Sequence, residues 1–161
     1  IQSAGYYLKS QSAFFSFLHD IETNSEPASI NQSLGDTIRQ MEQAKTSYYR
    51  LLLLSFQKYY DYSIISRLYY FDYDTFGTRN GFNPIVFKQV KLKLENGDVR
   101  GCYYWTYNAV CGIVKNLKSV QASVEAGKFP DLKEIRRLNQ DISNVQFFGQ
   151  YITEVFNEIT K

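Results

Sequence analysis

From Ile135 to Ile159 the seam positions recur at alternating steps of three and four: Ile135, Leu138, Ile142, Val145, Gly149, Ile152, Phe156 and Ile159. All but Gly149 carry apolar side chains. Such spacing puts residues on one side of an α-helix, so this stretch has to bury a long stripe against other helices. Asp131 stands before it as an N-cap with Glu134 three residues on, the arrangement of a capping box with Asp in place of Ser or Thr. Two more segments carry the same alternation. One starts near Ser29 as N-cap and runs to Tyr59. Its apolar positions are Ile30, Leu34, Met41, Ala44, Tyr48 and Leu51, with Thr37 and Ser55 polar in the same register and Ile38, Leu52 and Phe56 widening the stripe. The other runs from Asp98 to Ala126 along Tyr103, Thr106, Val110, Ile113, Leu117, Val120 and Val124, with Gly127 placed to stop it. At ~1.5 Å per residue each segment spans roughly 45 Å. The turn at Phe129-Pro130 is too short to join the last two other than antiparallel. A first helix over 2–22, with Ala4, Leu8, Phe14, Phe15, Leu18 and Ile21 on one face, covers part of the open side, and Asn24, Ser25 and Pro27 mark the loop after it. The expectation is an all-α, up-down helical bundle of about four main helices, one domain over 1–161.

The pattern breaks where the aromatics crowd. Tyr48–Phe76 holds 11 of the chain's 27 aromatic residues. Tyr48, Leu51, Leu52 and Phe56 keep the register of the second helix, but beyond Tyr59 the face is lost. A bend between Tyr60 and Ser63, then a shorter helix to about Tyr70, accounts for it. Asp72–Asn83, with Gly77, Asn80, Gly81 and Asn83, reads as a loop. The rest of this insertion, near 72–97, has two readings. Asn83 as N-cap, Pro84 at the first helical position and Asn96-Gly97 as a stop favour a short helix. Alternation of Val90, Leu92 and Leu94 with Lys91, Lys93 and Glu95 before Asn-Gly suits a β-hairpin, which however sets Lys93 opposite Arg100 and Glu95 opposite Asp98. The helix is the favoured reading.

Net charge is +2 and the pI near 8.4, which demands neither nucleic acid nor an acidic membrane as partner. No window approaches the ~18 uncharged apolar residues of a membrane span. Length and helix order resemble the four-helix sensor modules that sit between two membrane spans. The chain opens on Ile1 rather than Met, which suits a processed or excised domain and hence a secreted or extracytoplasmic setting. Cys102 and Cys111 on one helix stand ~13 Å apart, too far for a disulfide, which needs Cα atoms within roughly 7 Å. They read as two small buried thiols.

Catalytic sets are thin. His19 is the one histidine, and the Glu-x-x-His pattern of carboxylate-bridged metal sites would need Glu where Ser16 stands. Asp72-x-Asp74-x-Phe76-Gly77 follows the first half of a calcium loop, but Phe76 and Asn83 occupy two positions that need oxygen ligands; the acids read as solvated or paired to Arg79. Gly77–Gly81 lacks the Gly-Lys-Ser/Thr ending of a phosphate cradle. No cofactor is expected. Lys88, Lys91, Lys93 and Arg100 lie among Phe82, Phe87, Tyr103, Tyr104 and Trp105, a pairing that single-stranded nucleic acid could use. Glu95 and Asp98 dilute the charge, so a solvated helix face is the better reading.

The aromatics of 60–76 are too dense to sort onto one helix face. Either they fill the wide end of the bundle or they form a contact surface or pocket. Tyr62, Tyr69, Tyr70, Phe71 and Tyr73 then supply the surface, Tyr103 and Trp105 a wall, and Asp61 and Arg67 polar specificity. The expected function is a non-catalytic interaction module that binds a protein partner or a small aromatic or apolar ligand; self-association stays open. The alternative is an extracytoplasmic sensor or secreted effector domain. An enzyme using Tyr with Asp61, Asp72 or Asp74 ranks below both and requires carboxyls with raised pKa.

Overall fold

The computed structural model describes residues 2–23, 26–57, 60–128 and 130–161, with side chains from residue 5 onward in the first helix. The expectations for Ala4, Asn24, Ser25, Tyr59 and Phe129 lie outside these residues. The described residues form seven helices: α1 (Gln2–Glu22), α2 (Pro27–Ser55), α3 (Tyr62–Tyr70), α4 (Tyr73–Arg79), α5 (Pro84–Leu94), α6 (Val99–Glu125) and α7 (Leu132–Ile159). No strand occurs among the described residues, and none of their helices is long and apolar enough to cross a membrane.

The chain divides into two compact units, one of Ile1–Arg50 with Tyr107–Ile142, the other of Leu51–Thr106 with Ser143–Lys161. In the first, α1 meets α2 through Ser33 Oγ donating to Asp20 Oδ2 (2.8 Å), Ser10 Oγ against Met41 Sδ (3.7 Å) and the Tyr7–Tyr48 ring pair. Numbers fall along α1 as they rise along α2, so the two run antiparallel. The Lys118–Glu42 ion pair (2.6 Å) and the Tyr49–Tyr107 ring contact set α2 antiparallel to α6 in the same way. The α2 seam is buried as its spacing predicts, through Ile30, Leu34, Thr37, Ile38, Met41 and Ala44. Its start is not: Pro27 opens the helix and the Glu26 carbonyl accepts from Ser29 and Ile30, so Ser29 lies inside rather than at the cap.

The inner face of α1 also differs from expectation. Leu8 and Phe15 are exposed, whereas Tyr7, Ser10, Gln11, Phe14 and Phe17 are buried. Buried polar groups are tolerated once hydrogen-bonded. Here the Tyr7 hydroxyl donates to the Ile142 carbonyl and Ser10 Oγ to the Tyr7 carbonyl (2.6 Å).

In the second unit α4 replaces the expected loop. Asp72 caps it, Oδ1 accepting from the Thr75 amide (3.2 Å) and Oδ2 from the Thr75 hydroxyl (2.8 Å). Tyr73, Phe76 and Gly77 are buried, and Gly81 ends the turn at a φ of 66°. The 84–94 stretch takes the helical alternative as α5. Asn83 Oδ1 accepts from Ile85 (3.0 Å) and Val86 (3.4 Å), and Gly97, at a φ of 68°, closes the far end with the paired backbone bonds of a Schellman motif. Gly127 closes α6 the same way. Asp131 Oδ1 caps α7 on the Lys133 amide (3.0 Å). Beyond Val145 the α7 seam shifts by a residue: Phe148, Tyr151 and Val155 are buried, Ile152 and Phe156 only partly, and Gly149 is exposed. α2 ends at Ser55, and Phe56, 61% exposed, lies under the Arg100 guanidinium instead of widening the stripe.

Gly77 is present for closeness rather than for flexibility. A Cβ built there would stand 2.7 Å from Phe87 Cδ1. Gly→Ala inside a helix ordinarily gains about 1 kcal/mol. Here the ring is held by buried neighbours, so overpacking wins, and Gly77→Ala will destabilise by roughly 1–2 kcal/mol. A urea midpoint that rises instead of falling would show that Phe87 can move aside.

Candidate functional site

α3 is a nine-residue helix, begun by Asp61 Oδ1 accepting from the Ser63 amide (3.1 Å). Only Leu68 is fully buried; Ile64 and Ile65 pack partly against the same core. At ~100° per residue Tyr62, Ser66 and Tyr69 share one face and Tyr70 borders it. That face is open: Tyr62 is 80% exposed, Tyr69 65% and Tyr70 79%, with the Tyr69 and Tyr70 rings edge to face at 4.9 Å.

The other expected site residues divide. Asp61 is taken up as a cap. Arg67 Nη1 donates to the Ile159 carbonyl at the end of α7 (2.8 Å). With Tyr70, Phe71, Arg79 and Glu158 it lines a cleft of about 490 Å³. Phe71 packs edge-on against Tyr73 and Phe76, and Tyr73 is buried with its hydroxyl donating to the Leu68 carbonyl (2.6 Å). Trp105 stacks on Phe148 at 3.9 Å, and Tyr103 is half-buried against the same core. The aromatic run thus serves two ends: Phe71, Tyr73, Tyr103 and Trp105 pack into or against the core, while Tyr62, Tyr69 and Tyr70 face out.

Titration follows burial. Desolvation, with Tyr103 beside it as hydrogen-bond partner, pushes Tyr60 up to about 12, and burial pushes the Cys102 thiol up to about 12. Burial raises Tyr73 beyond the ordinary phenol range. Asp72 moves the other way, held below the usual carboxylate range by the Thr75 hydroxyl and amide. That is opposite to the raised carboxyl acid–base chemistry would need there. Cys102 and Cys111 are both free thiols, Cys102 buried and Cys111 half-buried. Among the described residues no group of three or more His, Cys, Asp or Glu is placed to hold a metal ion. His19 is exposed, its carbonyl accepting from Thr23.

Two of the four basic residues are already engaged within the fold. Lys91 Nζ sits 3.2 Å from Asp74 Oδ1, and Arg100 Nε donates to the Ser55 carbonyl (3.1 Å). Arg79 pairs with Glu158 at 3.9 Å rather than with the acids of its own segment. The spacing of Gly77 and Gly81 missed a second concavity, between α4 and α5, of about 720 Å³. Two glycines one helical turn apart beside a facing Phe are the sequence signal for it. The chain matches no family model, no curated protein and no solved structure.

Proposed function

We propose that this protein is a non-catalytic interaction module. Its four long helices, α1, α2, α6 and α7, form an up-down bundle that serves as scaffold, and the outer face of α3 holds a protein partner. The observation that carries this reading is the exposure of Tyr62, Tyr69 and Tyr70 together on one short helix whose inner side is anchored by Leu68. Tyrosine suits such a face because it offers wide apolar contact and a hydroxyl at little entropic cost. Arg67, Tyr70 and Phe71 continue the surface into the adjoining cleft, where an arginine supplies directional donors. The lowered Asp72 carboxyl weighs against the enzyme reading, because the aspartates among the tyrosines would have to hold protons near neutral pH.

A photo-crosslinker at Tyr62, used in the native cell, should trap one partner reproducibly. With that partner purified, the Tyr69→Ala/Tyr70→Ala variant should bind it more weakly by about 2 kcal/mol or more, as for aromatic hot spots. Helicity and melting temperature should stay unchanged, since both rings are exposed. Equal affinity of the variant and the parent would remove α3 as the contact face.

A further inference from the structure

α4 and α5 face each other across the groove of about 720 Å³, within the ~300–1,000 Å³ range of small-molecule sites. It shares no residue with the α3 tyrosine face. Its apolar side is preformed. Gly77 lets the Phe87 ring lie flush on the α4 backbone, and Phe82 is fixed by stacking on Tyr151 at 4.1 Å. Its polar side is nearly spent. Asp74 takes up the Lys91 ammonium through both oxygens, at 3.2 and 3.4 Å. Lys88, one turn back along α5, is exposed at the same rim and has no ion pair or hydrogen bond among the described residues. The groove therefore offers an aromatic corner, with the Phe82 and Phe87 rings 5.2 Å apart and inclined at 61°, and one uncommitted cation. We infer that it binds a small aromatic monoanion, an arene carboxylate or sulfonate, with the ring against Phe82 and Phe87 and the acid on Lys88 Nζ. A nucleic-acid strand is disfavoured, because its affinity rests on many phosphate contacts and here a single charge is free.

The test is titration of the ¹⁵N-labelled full chain with two probes, 2-naphthoate and 1-anilinonaphthalene-8-sulfonate, and with neutral 2-naphthylmethanol as control. At least one anion should shift the Gly77, Thr78 and Gly81 amides saturably. Lys88→Gln should weaken it about tenfold, the neutral alcohol should bind about tenfold less tightly than naphthoate, and added salt should weaken the anions. Thr78→Trp, a substitution at an exposed rim position, should block binding without unfolding the chain. The inference fails if neither anion moves those amides, if the alcohol binds as well as naphthoate, or if Lys88→Gln leaves the affinity unchanged.

Discussion

Phe148→Ala will destabilise the protein by about 3–5 kcal/mol, the range for emptying a buried aromatic site. Phe148 has no exposed surface, and its ring lies 3.9 Å from Trp105 at an interplanar angle of 17°. Truncation removes the apolar area and leaves one face of the indole unsupported. Native domains hold only about 5–15 kcal/mol in all, so the variant should melt far below the parent. Trp105 is the chain's single tryptophan and sits at the lesion, so its fluorescence reports the change directly. Tyr104→Ala is the control: Tyr104 is 56% exposed, and its loss should fall within about 0.5 kcal/mol. Equal losses in the two variants would mean that the Trp105–Phe148 stack is not part of a packed core.

Alkali should unfold the protein earlier than acid chemistry alone would suggest. Burial raises Tyr7, Tyr48, Tyr60 and Tyr73 above the phenol value of 10.0, and Cys102 above the thiol value of 9.0. In each case the folded state holds its proton more tightly than the unfolded chain. The stabilisation is complete below the unfolded value and is lost as pH rises towards the folded one. The decline begins near pH 9 with Cys102, steepens above 10, and continues to about 12, where Tyr60 and Cys102 ionise in the folded chain. Urea midpoints between pH 8 and 12 should fall monotonically. Tyrosine absorbance should show a component that appears only with unfolding. A single, non-cooperative titration of all 14 tyrosines would overturn this. Tyr73→Phe should lose roughly 1 kcal/mol at pH 8 through its missing bond to Leu68 and show a shallower alkaline slope.

Much of the helical framework was legible, because local rules decide it. α1 has the predicted limits, the α2 seam follows its alternation, and Asn83 and Asp131 cap where their side chains predict, whereas Asp61, expected to lend polar specificity, is a cap instead. What failed depended on distant partners. The inner face of α1 turns on Tyr7, which is comfortable inside only because a carbonyl 135 positions away accepts its proton. The α7 seam follows a strict heptad until Val145. The chain passes from the first compact unit to the second after Ile142, so the second half of α7 buries Phe148 and Tyr151 against a different set of neighbours, and no local pattern announces that change. α4 was hidden because Gly77 looks like loop chemistry until Phe87 is known to lie on it. The candidate contact face was half legible. The aromatic excess required that some rings face outward, but Tyr73 and Tyr70 have the same side chain, and nothing local shows that Tyr73 finds the Leu68 carbonyl.

Neither compact unit is a continuous stretch of chain: each closes with residues drawn from both sides of the other's sequence. During synthesis the first fifty residues wait for 107–142 before their core can be completed, and 51–106 wait for 143–161. Domain-by-domain folding at the ribosome is unavailable to such a chain. Residues through 142 have to be made before the first unit can finish and through 161 before the second, so each core stays incomplete until its later segment arrives.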